Sequence, residues 1–141
     1  MNGPLWSAMH ARPRMPMRAL RAEDLPHPEP GVYALYRHGK PMYVGLAEKQ
    51  SLRDRVWGSH RSRGVSMTGS ALRRNITEHL GIATAAAIKK RPYPPTWADA
   101  ARVVAWIDAC QVTWIPCASS QEAHSLERDM KAEWMPPLTK R

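Results

Sequence analysis

Two short segments of β-type sequence, separated by a glycine-containing turn, most constrain what this chain can fold into. The segments Gly31 to Tyr36 (GVYALY) and Pro41 to Leu46 (PMYVGL) are rich in β-branched, aromatic and other apolar residues. Between them lies the sequence Arg-His-Gly-Lys, in which Gly39 supplies the positive φ that a tight turn needs. Strands joined by so short a turn pair antiparallel, so the sequence predicts a β-hairpin.

The rest of the chain predicts helices and one further strand around this hairpin. Capping residues, glycine, proline and apolar residues at helical spacing indicate the boundaries. The predicted elements are a helix from Ser51 to about His60, a helix from Ser70 to Gly81, a helix after Thr96, a strand from Gln111 to Pro116, and a helix from Ser119 to Pro136-Pro137. The simplest packing is an α/β (α+β) fold with a small three-stranded antiparallel sheet flanked by helices.

The N-terminal 28 residues differ in composition from the rest. They contain many Pro, Arg and Met residues without a helical or strand period, which predicts a flexible N-terminal tail, partly disordered or draped on the domain. A single domain is expected at residues 29–141, with a basic helical insertion at about residues 64–110. No membrane span or secretory signal is evident, so we expect a cytoplasmic protein with reduced Cys110 and Cys117.

Positive charge is concentrated in the middle of the chain. The net charge is +9, and +7 of it falls in residues 53–91. Such a field attracts polyanions, and nucleic acid is the commonest one, although a solvated basic face kept for solubility is the alternative. The candidate nucleic-acid contacts are Arg53, Arg61, Arg63, Arg73, Arg74, Lys89, Lys90 and Arg91.

Five polar residues recur at informative places, namely Tyr33, Tyr43, Arg55, His60 and Glu127. Each has an ordinary role when considered alone, such as a core tyrosine, a surface arginine or a solvated glutamate. Their order and their neighbours favour a shared site, because the two tyrosines fall on paired strands and the other residues fall on predicted helices.

The series of motifs is more specific than any member. In chain order they are Gly31-Val32-Tyr33, Tyr43-Val44-Gly45, Leu52 with Arg55, His60, Leu126-Glu127 and Pro136-Pro137-Leu138-Thr139. This series resembles the pattern of the GIY-YIG nuclease family, over most of the chain. The resemblance implies a metal-dependent DNA endonuclease that uses Mg²⁺ or Mn²⁺.

The resemblance also implies roles for the residues. Glu127 would bind the metal, and Arg55 would bind a phosphoryl oxygen with its charged planar fork. The base would be Tyr33 and Tyr43 would contact phosphate, although the sequence alone does not rank the two phenols. The rivals at similar spacing are Arg53 for the arginine and Glu122 or Glu133 for the glutamate, while His124 is a less favoured second ligand.

Two departures from the family pattern concern helix register and the end of the chain. The family has a histidine or tyrosine four residues after the arginine, where this chain has Ser59, with His60 one position later. In an α-helix one position turns a side chain by about 100°, so His60 would face away unless the helix ends early. The family also closes with asparagine where Thr139 stands here.

Other readings stay open at this stage. The same fold could serve as a catalytically inactive nucleic-acid-binding module. Alternatively, Ser70 to Ala86 could be part of a helix-turn-helix in a small DNA-binding regulator, with its recognition helix at Ala83–Lys90. Gly31 and Gly45 could let a DNA backbone approach closely, or could mark a bulge or a strand end. We expect low sequence specificity, with a protein partner for targeting, and the sequence does not indicate an oligomeric state.

Overall fold

The computed structural model of the chain describes residues 3–60, 71–82 and 97–139. The strands are β1 (Met15–Pro16), β2 (Gly31–Arg37), β3 (Lys40–Ala47) and β4 (Gln111–Pro116). The helices are α1 (Pro4–His10), two 3₁₀ turns (Met17–Ala19 and Ala22–Asp24), a π-helix (Arg53–His60), α2 (Ala71–His79), α3 (Trp97–Asp108) and α4 (Ser120–Glu133).

The strands form one antiparallel sheet in the order β1-β4-β2-β3. The predicted hairpin is confirmed as β2 and β3, and β4 is the predicted third strand. The fourth strand, β1, has only two residues and was not predicted, because a segment so short cannot show the alternation that marks a strand. The mixed fold with an antiparallel sheet is otherwise as the sequence predicted.

Strand β2 lies between two neighbours and is covered on both faces. Val32, Ala34 and Tyr36 pack on one side with residues of α1 and α4, whereas Tyr33 and Leu35 pack on the other with the π-helix, α2 and α3. Alternate residues of a strand point to opposite faces, so the run of buried residues in β2 follows from its central position. The result is a helix–sheet–helix sandwich with two apolar cores.

The predicted insertion belongs to the main core. Ala100, Val103 and Ile107 of α3 are buried there together with Leu72 and Ile76 of α2. Residues 61–70 and 83–96 lie outside the described residues. They include the starts of both predicted helices and the recognition helix of the helix-turn-helix alternative.

Serine hydroxyls begin two of the helices as the sequence predicted. Ser119 Oγ accepts a hydrogen bond from the Glu122 backbone N–H at 3.1 Å. Ser51 Oγ does the same for the Asp54 N–H, also at 3.1 Å, at the start of the π-helix. Both bonds satisfy donors that the first turn of a helix leaves without an internal partner.

Residues 3–28 pack on the domain, which agrees with the draped alternative of the predicted N-terminal tail. Trp6 and Met9 of α1 are fully buried. The Trp6 indole N–H donates to the carbonyls of Met130 and Trp134, at 2.9 and 3.1 Å. The Glu133 carboxylate accepts the backbone N–H groups of Leu5 and Trp6 at the start of α1. A short helix without a strong period is held here by tertiary contacts, which local sequence does not reveal.

The C-terminal residues cover the outer edge of β3. The Leu138 N–H donates to the Met42 carbonyl at 2.9 Å, and Asn75 Nδ2 donates to the Leu138 carbonyl at 2.8 Å.

Among the described residues, no helix combines the length and apolar character needed to cross a membrane. Both cysteines are buried free thiols, and burial raises the pKa of Cys110 to about 12.

Replacing Trp6 by alanine should lower the free energy of unfolding by about 3–5 kcal/mol, because removal of the fully buried indole leaves a cavity beside α4. Trp6→Phe, which keeps most of the volume but loses the two indole hydrogen bonds, should cost about 1–3 kcal/mol. Urea unfolding measures both, with the exposed Ser7→Ala on the same helix as control. Wild-type stability in Trp6→Ala would show that α1 does not pack here.

Candidate active site

The hairpin register brings the two tyrosines of the predicted site together. Tyr33 pairs across the strands with Gly45, and Leu35 pairs with Tyr43, so the two rings are diagonal neighbours on one face. Their ring centroids are 6.1 Å apart, and their phenol groups are hydrogen-bonded. Tyr33 is completely buried, whereas Tyr43 keeps 6% of its surface exposed.

Atoms of the protein itself fill the space beside both motif glycines. A Cβ on Gly45 would overlap Cζ and Oη of Tyr33, and a Cβ on Gly31 would overlap the Ile115 carbonyl oxygen of β4. The suggestion that these glycines admit a DNA backbone is therefore wrong. They let the tyrosine ring and the neighbouring strand approach closely.

Arg55 is the arginine that joins the tyrosines. It hydrogen-bonds with Tyr33, and its charge acts on both phenols. Its Nε atom is buried without a hydrogen-bond partner among the described residues. The rival Arg53 instead donates from Nε and Nη2 to the Leu25 carbonyl, at 3.2 and 3.1 Å, and ties the N-terminal segment to the π-helix.

Burial dominates the acidity of the two phenols. It raises the pKa of Tyr33 well above the ordinary value of 10.0, the neighbouring Tyr43 raises it further, and Arg55 opposes both effects. Burial also raises the pKa of Tyr43. Arg55, the hydrogen bond with Tyr33 and Arg74 lower the Tyr43 pKa, while the negative charge of Glu127 raises it. Both phenols are therefore neutral at pH 7 in this arrangement.

Glu127 is close enough to influence Tyr43, and its side chain is only 14% exposed. Its Oε2 atom lies 3.0 Å from Nζ of Lys131, one turn later on α4. Both line a cavity of about 290 Å³ beside this helix, together with His124. The rival glutamates serve elsewhere, since Glu122 is exposed and Glu133 binds the start of α1.

The chemistry around Glu127 fits a hard divalent ion. No three His, Cys, Asp or Glu side chains converge anywhere in residues 3–60, 71–82 and 97–139. A Mg²⁺ ion keeps several of its waters and needs as few as one protein carboxylate, which a half-buried Glu127 beside a cavity can supply. His124 lines the same cavity, but it is exposed and a hard Mg²⁺ ion prefers oxygen ligands to imidazole.

The two departures from the family pattern have different outcomes. Thr139 is buried, and its hydroxyl accepts from the Val44 N–H at 2.9 Å and faces the Val44 carbonyl, so it fixes the chain end to β3. His60 is the last residue of the π-helix, and its side chain lies outside the described part of the chain. Hydrogen bonds from residue i to i+5 replace the α-helical pattern there, so the rotation of about 100° per residue on which the prediction rested does not hold between Arg55 and position 60.

Of the eight predicted nucleic-acid contacts, Arg53 donates to the Leu25 carbonyl, and the other seven divide into three groups. Arg73 is 2% exposed, and burial lowers its pKa, so it does not present its guanidinium to solvent as a phosphate contact requires. Arg74 is half-buried and lies within electrostatic range of Tyr43, so it belongs with the site. Arg61, Arg63, Lys89, Lys90 and Arg91 lie outside the described residues.

Sequence reasoning missed the place of Arg74 and Lys131 in the site. The sequence predicted Arg74 only as a nucleic-acid contact and assigned no role to Lys131. The packing of α2 and α4 around the hairpin brings these two residues to Tyr43 and Glu127. The i,i+4 spacing of Glu127 and Lys131 was the one available signal, because residues four apart on a helix are neighbours.

A family model described as the GIY-YIG catalytic domain matches residues 23–141. The match covers nearly the whole chain, and the chain belongs to the GIY-YIG family, whose domains are nuclease domains acting on DNA. Searches of curated proteins and of solved structures find no match.

Gly45→Ala should displace the Tyr33 ring and lower the free energy of unfolding by about 1–3 kcal/mol, because the added methyl overlaps the phenol. Chemical denaturation measures the change. Gly58→Ala is the matched control, since a Cβ there meets no atom within 4 Å. Equal effects at both positions would contradict the close packing of Tyr33 on Gly45.

The stability of the protein should fall as pH rises above about 10. In the unfolded chain the tyrosines lose their protons near the ordinary pKa of 10.0, whereas the folded state keeps Tyr33 and Tyr43 protonated to higher pH. Above pH 10 the unfolded state therefore binds fewer protons and becomes relatively more stable, by up to about 1.4 kcal/mol per pH unit for each phenol. When the free energy of unfolding is measured from pH 8 to 11.5, it should decrease less steeply with pH in Tyr43→Phe than in the wild type. Parallel curves for the two proteins would refute the raised pKa.

Proposed function

We propose that this chain is a metal-dependent endonuclease that hydrolyses phosphodiester bonds in DNA. The observation that carries the proposal is the meeting of Tyr33, Tyr43 and Arg55 in one buried hydrogen-bonded group, with Glu127 in electrostatic range of Tyr43. Four polar side chains from two strands and two helices are held together at a cost in desolvation, which is typical of a functional site.

Arg55 supplies the phosphate-binding group. Its charge is permanent, and its planar guanidinium has the geometry to bind phosphoryl oxygens. Its hydrogen bond with Tyr33 fixes the plane of the guanidinium relative to both phenols. Bound this way, the arginine would neutralise charge that grows on the phosphate during hydrolysis.

Glu127 would hold the divalent metal, Mg²⁺ or Mn²⁺. When bound there, the ion would supply Lewis-acid polarisation of the phosphate and stabilise the leaving oxygen. The carboxylate is carried by α4. The end of this helix is fixed to α1 by the hydrogen bonds of Trp6 and Glu133. That anchoring supports a defined position for the carboxylate relative to Tyr43.

The two phenols would differ in role. Tyr43 keeps some exposure, and Arg55, Arg74 and the hydrogen bond with Tyr33 all favour its anion. Tyr33 has no exposed surface and hydrogen-bonds with Tyr43. These differences favour Tyr43 as the phenol that orients or deprotonates the attacking water, and Tyr33 as the residue that positions Tyr43. The roles are then the reverse of those that the resemblance implies.

His60 is proposed as a further member of the site on the basis of backbone register. In an α-helix its position, five residues after Arg55, would turn away from the arginine. The wider turn of the π-helix reduces this rotation, so position 60 lies nearer to the side of Arg55 than it would in an α-helix.

DNA contact beyond the scissile phosphate would come from the basic central third, residues 53–91, chiefly through the phosphate backbone. Backbone contacts position a protein on DNA without reading bases, so low intrinsic sequence specificity is expected, with a protein partner for targeting.

The decisive experiment is cleavage of supercoiled plasmid with Mg²⁺, with Mn²⁺ or with EDTA, comparing the wild type with Glu127→Gln. Nicking or linearisation should require the metal and should fall by about a hundredfold or more in the variant, because removing a required metal ligand costs several kcal/mol of transition-state stabilisation. The matched control is Glu122→Gln, an exposed glutamate on the same helix, which should cleave like the wild type.

Two outcomes would contradict the proposal. Cleavage that persists in Glu127→Gln would place the metal elsewhere. DNA binding without cleavage by the wild type or by either variant would favour the catalytically inactive binding module. The ion pair between Glu127 and Lys131 also motivates that hypothesis.

A further inference from the structure

The carboxylate of Glu127 already has a cationic partner within its own helix. Its Oε2 lies 3.0 Å from the Lys131 Nζ, and the two side chains are only 14% and 21% exposed. Ion pairs at such depth are screened less by water and salt than surface pairs. By contrast, the next ion pair along α4, between Arg128 and Asp129, is 64% and 53% exposed.

We infer that Lys131 is the resident counter-ion of Glu127 and that a divalent metal must displace it, so that Lys131 sets the affinity of the site for metal. This inference rests on the proposed metal site. A half-buried carboxylate without a cation would be costly, and Lys131 removes that cost in the metal-free protein. The ammonium and the metal then compete for the same carboxylate oxygens.

The geometry suits a displaceable partner. The i,i+4 spacing lets the lysine reach the carboxylate without a change in the backbone. Its ammonium is a compact charge on a flexible stem, and both residues line the same cavity, which gives the side chain room to move when the carboxylate is taken by metal. Its position in the last turn of α4 is favourable for a cation in either state.

The test is direct binding of Mn²⁺ to the full chain without DNA, followed by the electron paramagnetic resonance signal of free Mn²⁺. Lys131→Met should bind Mn²⁺ about threefold to tenfold more tightly than the wild type, because the competing charge is gone. Lys131→Arg, which keeps a cation, should bind within about twofold of the wild type.

Arg128→Met is the matched control for net charge. It removes the same charge from another residue that lines this cavity. Arg128, however, pairs with the exposed Asp129 and not with Glu127. Its Mn²⁺ affinity should change by less than about twofold. Thermal unfolding of each variant, monitored by circular dichroism, verifies that the binding measurements are made on folded protein.

The failure of this inference is distinguishable from failure of the metal site. If Glu127→Gln abolishes Mn²⁺ binding but Lys131→Met binds no more tightly than Arg128→Met, the metal site stands and the role of Lys131 is refuted. If Glu127→Gln binds Mn²⁺ like the wild type, both are refuted. A gain in Lys131→Met that disappears in the double variant with Glu127→Gln would establish that Lys131 acts through this carboxylate.

Discussion

The pairing of β2 with β3 is the constraint on which the rest of this structure depends. The register that sets Tyr33 opposite Gly45 places the phenol over a residue without a side chain, and it brings Tyr43 to the same face. A slip of one residue would turn the side chains of one strand to the opposite face relative to the other strand, so Tyr33 and Tyr43 would no longer lie together beside Arg55. The hairpin therefore defines the core and the candidate site at once.

Electrostatics in this site depend on burial more than on any single charge. Two phenols are held neutral by desolvation, while Arg55 and Arg74 on one side and Glu127 on the other act on them in opposite directions. Charges in a poorly hydrated site interact more strongly than charges at the surface. Small rearrangements, such as a change in the partner of Glu127, can therefore alter the ionisation of Tyr43.

Sequence reasoning succeeded where local chemistry fixes structure and failed where distant contacts do. Gly39, the strand pattern and the Ser119 cap specify their own elements, and the motif residues at 33, 43, 55 and 127 identify the family. The packing of α1 depends on Trp6 reaching α4, more than a hundred residues away in the chain. The partnership of Lys131 and the burial of Arg73 likewise arise from tertiary packing, which no local pattern encodes.

The π-helix has a consequence for how members of this family are compared. Ser59 aligns with the family's histidine or tyrosine when residues are counted, yet the wider turn of the π-helix brings position 60 nearer to the side of Arg55 than an α-helix would. A wider helix absorbs one additional residue without moving the elements that follow it. Equivalence between two such chains is then a matter of angular position around the helix axis, and an alignment without a gap in this helix would pair residues that face in different directions.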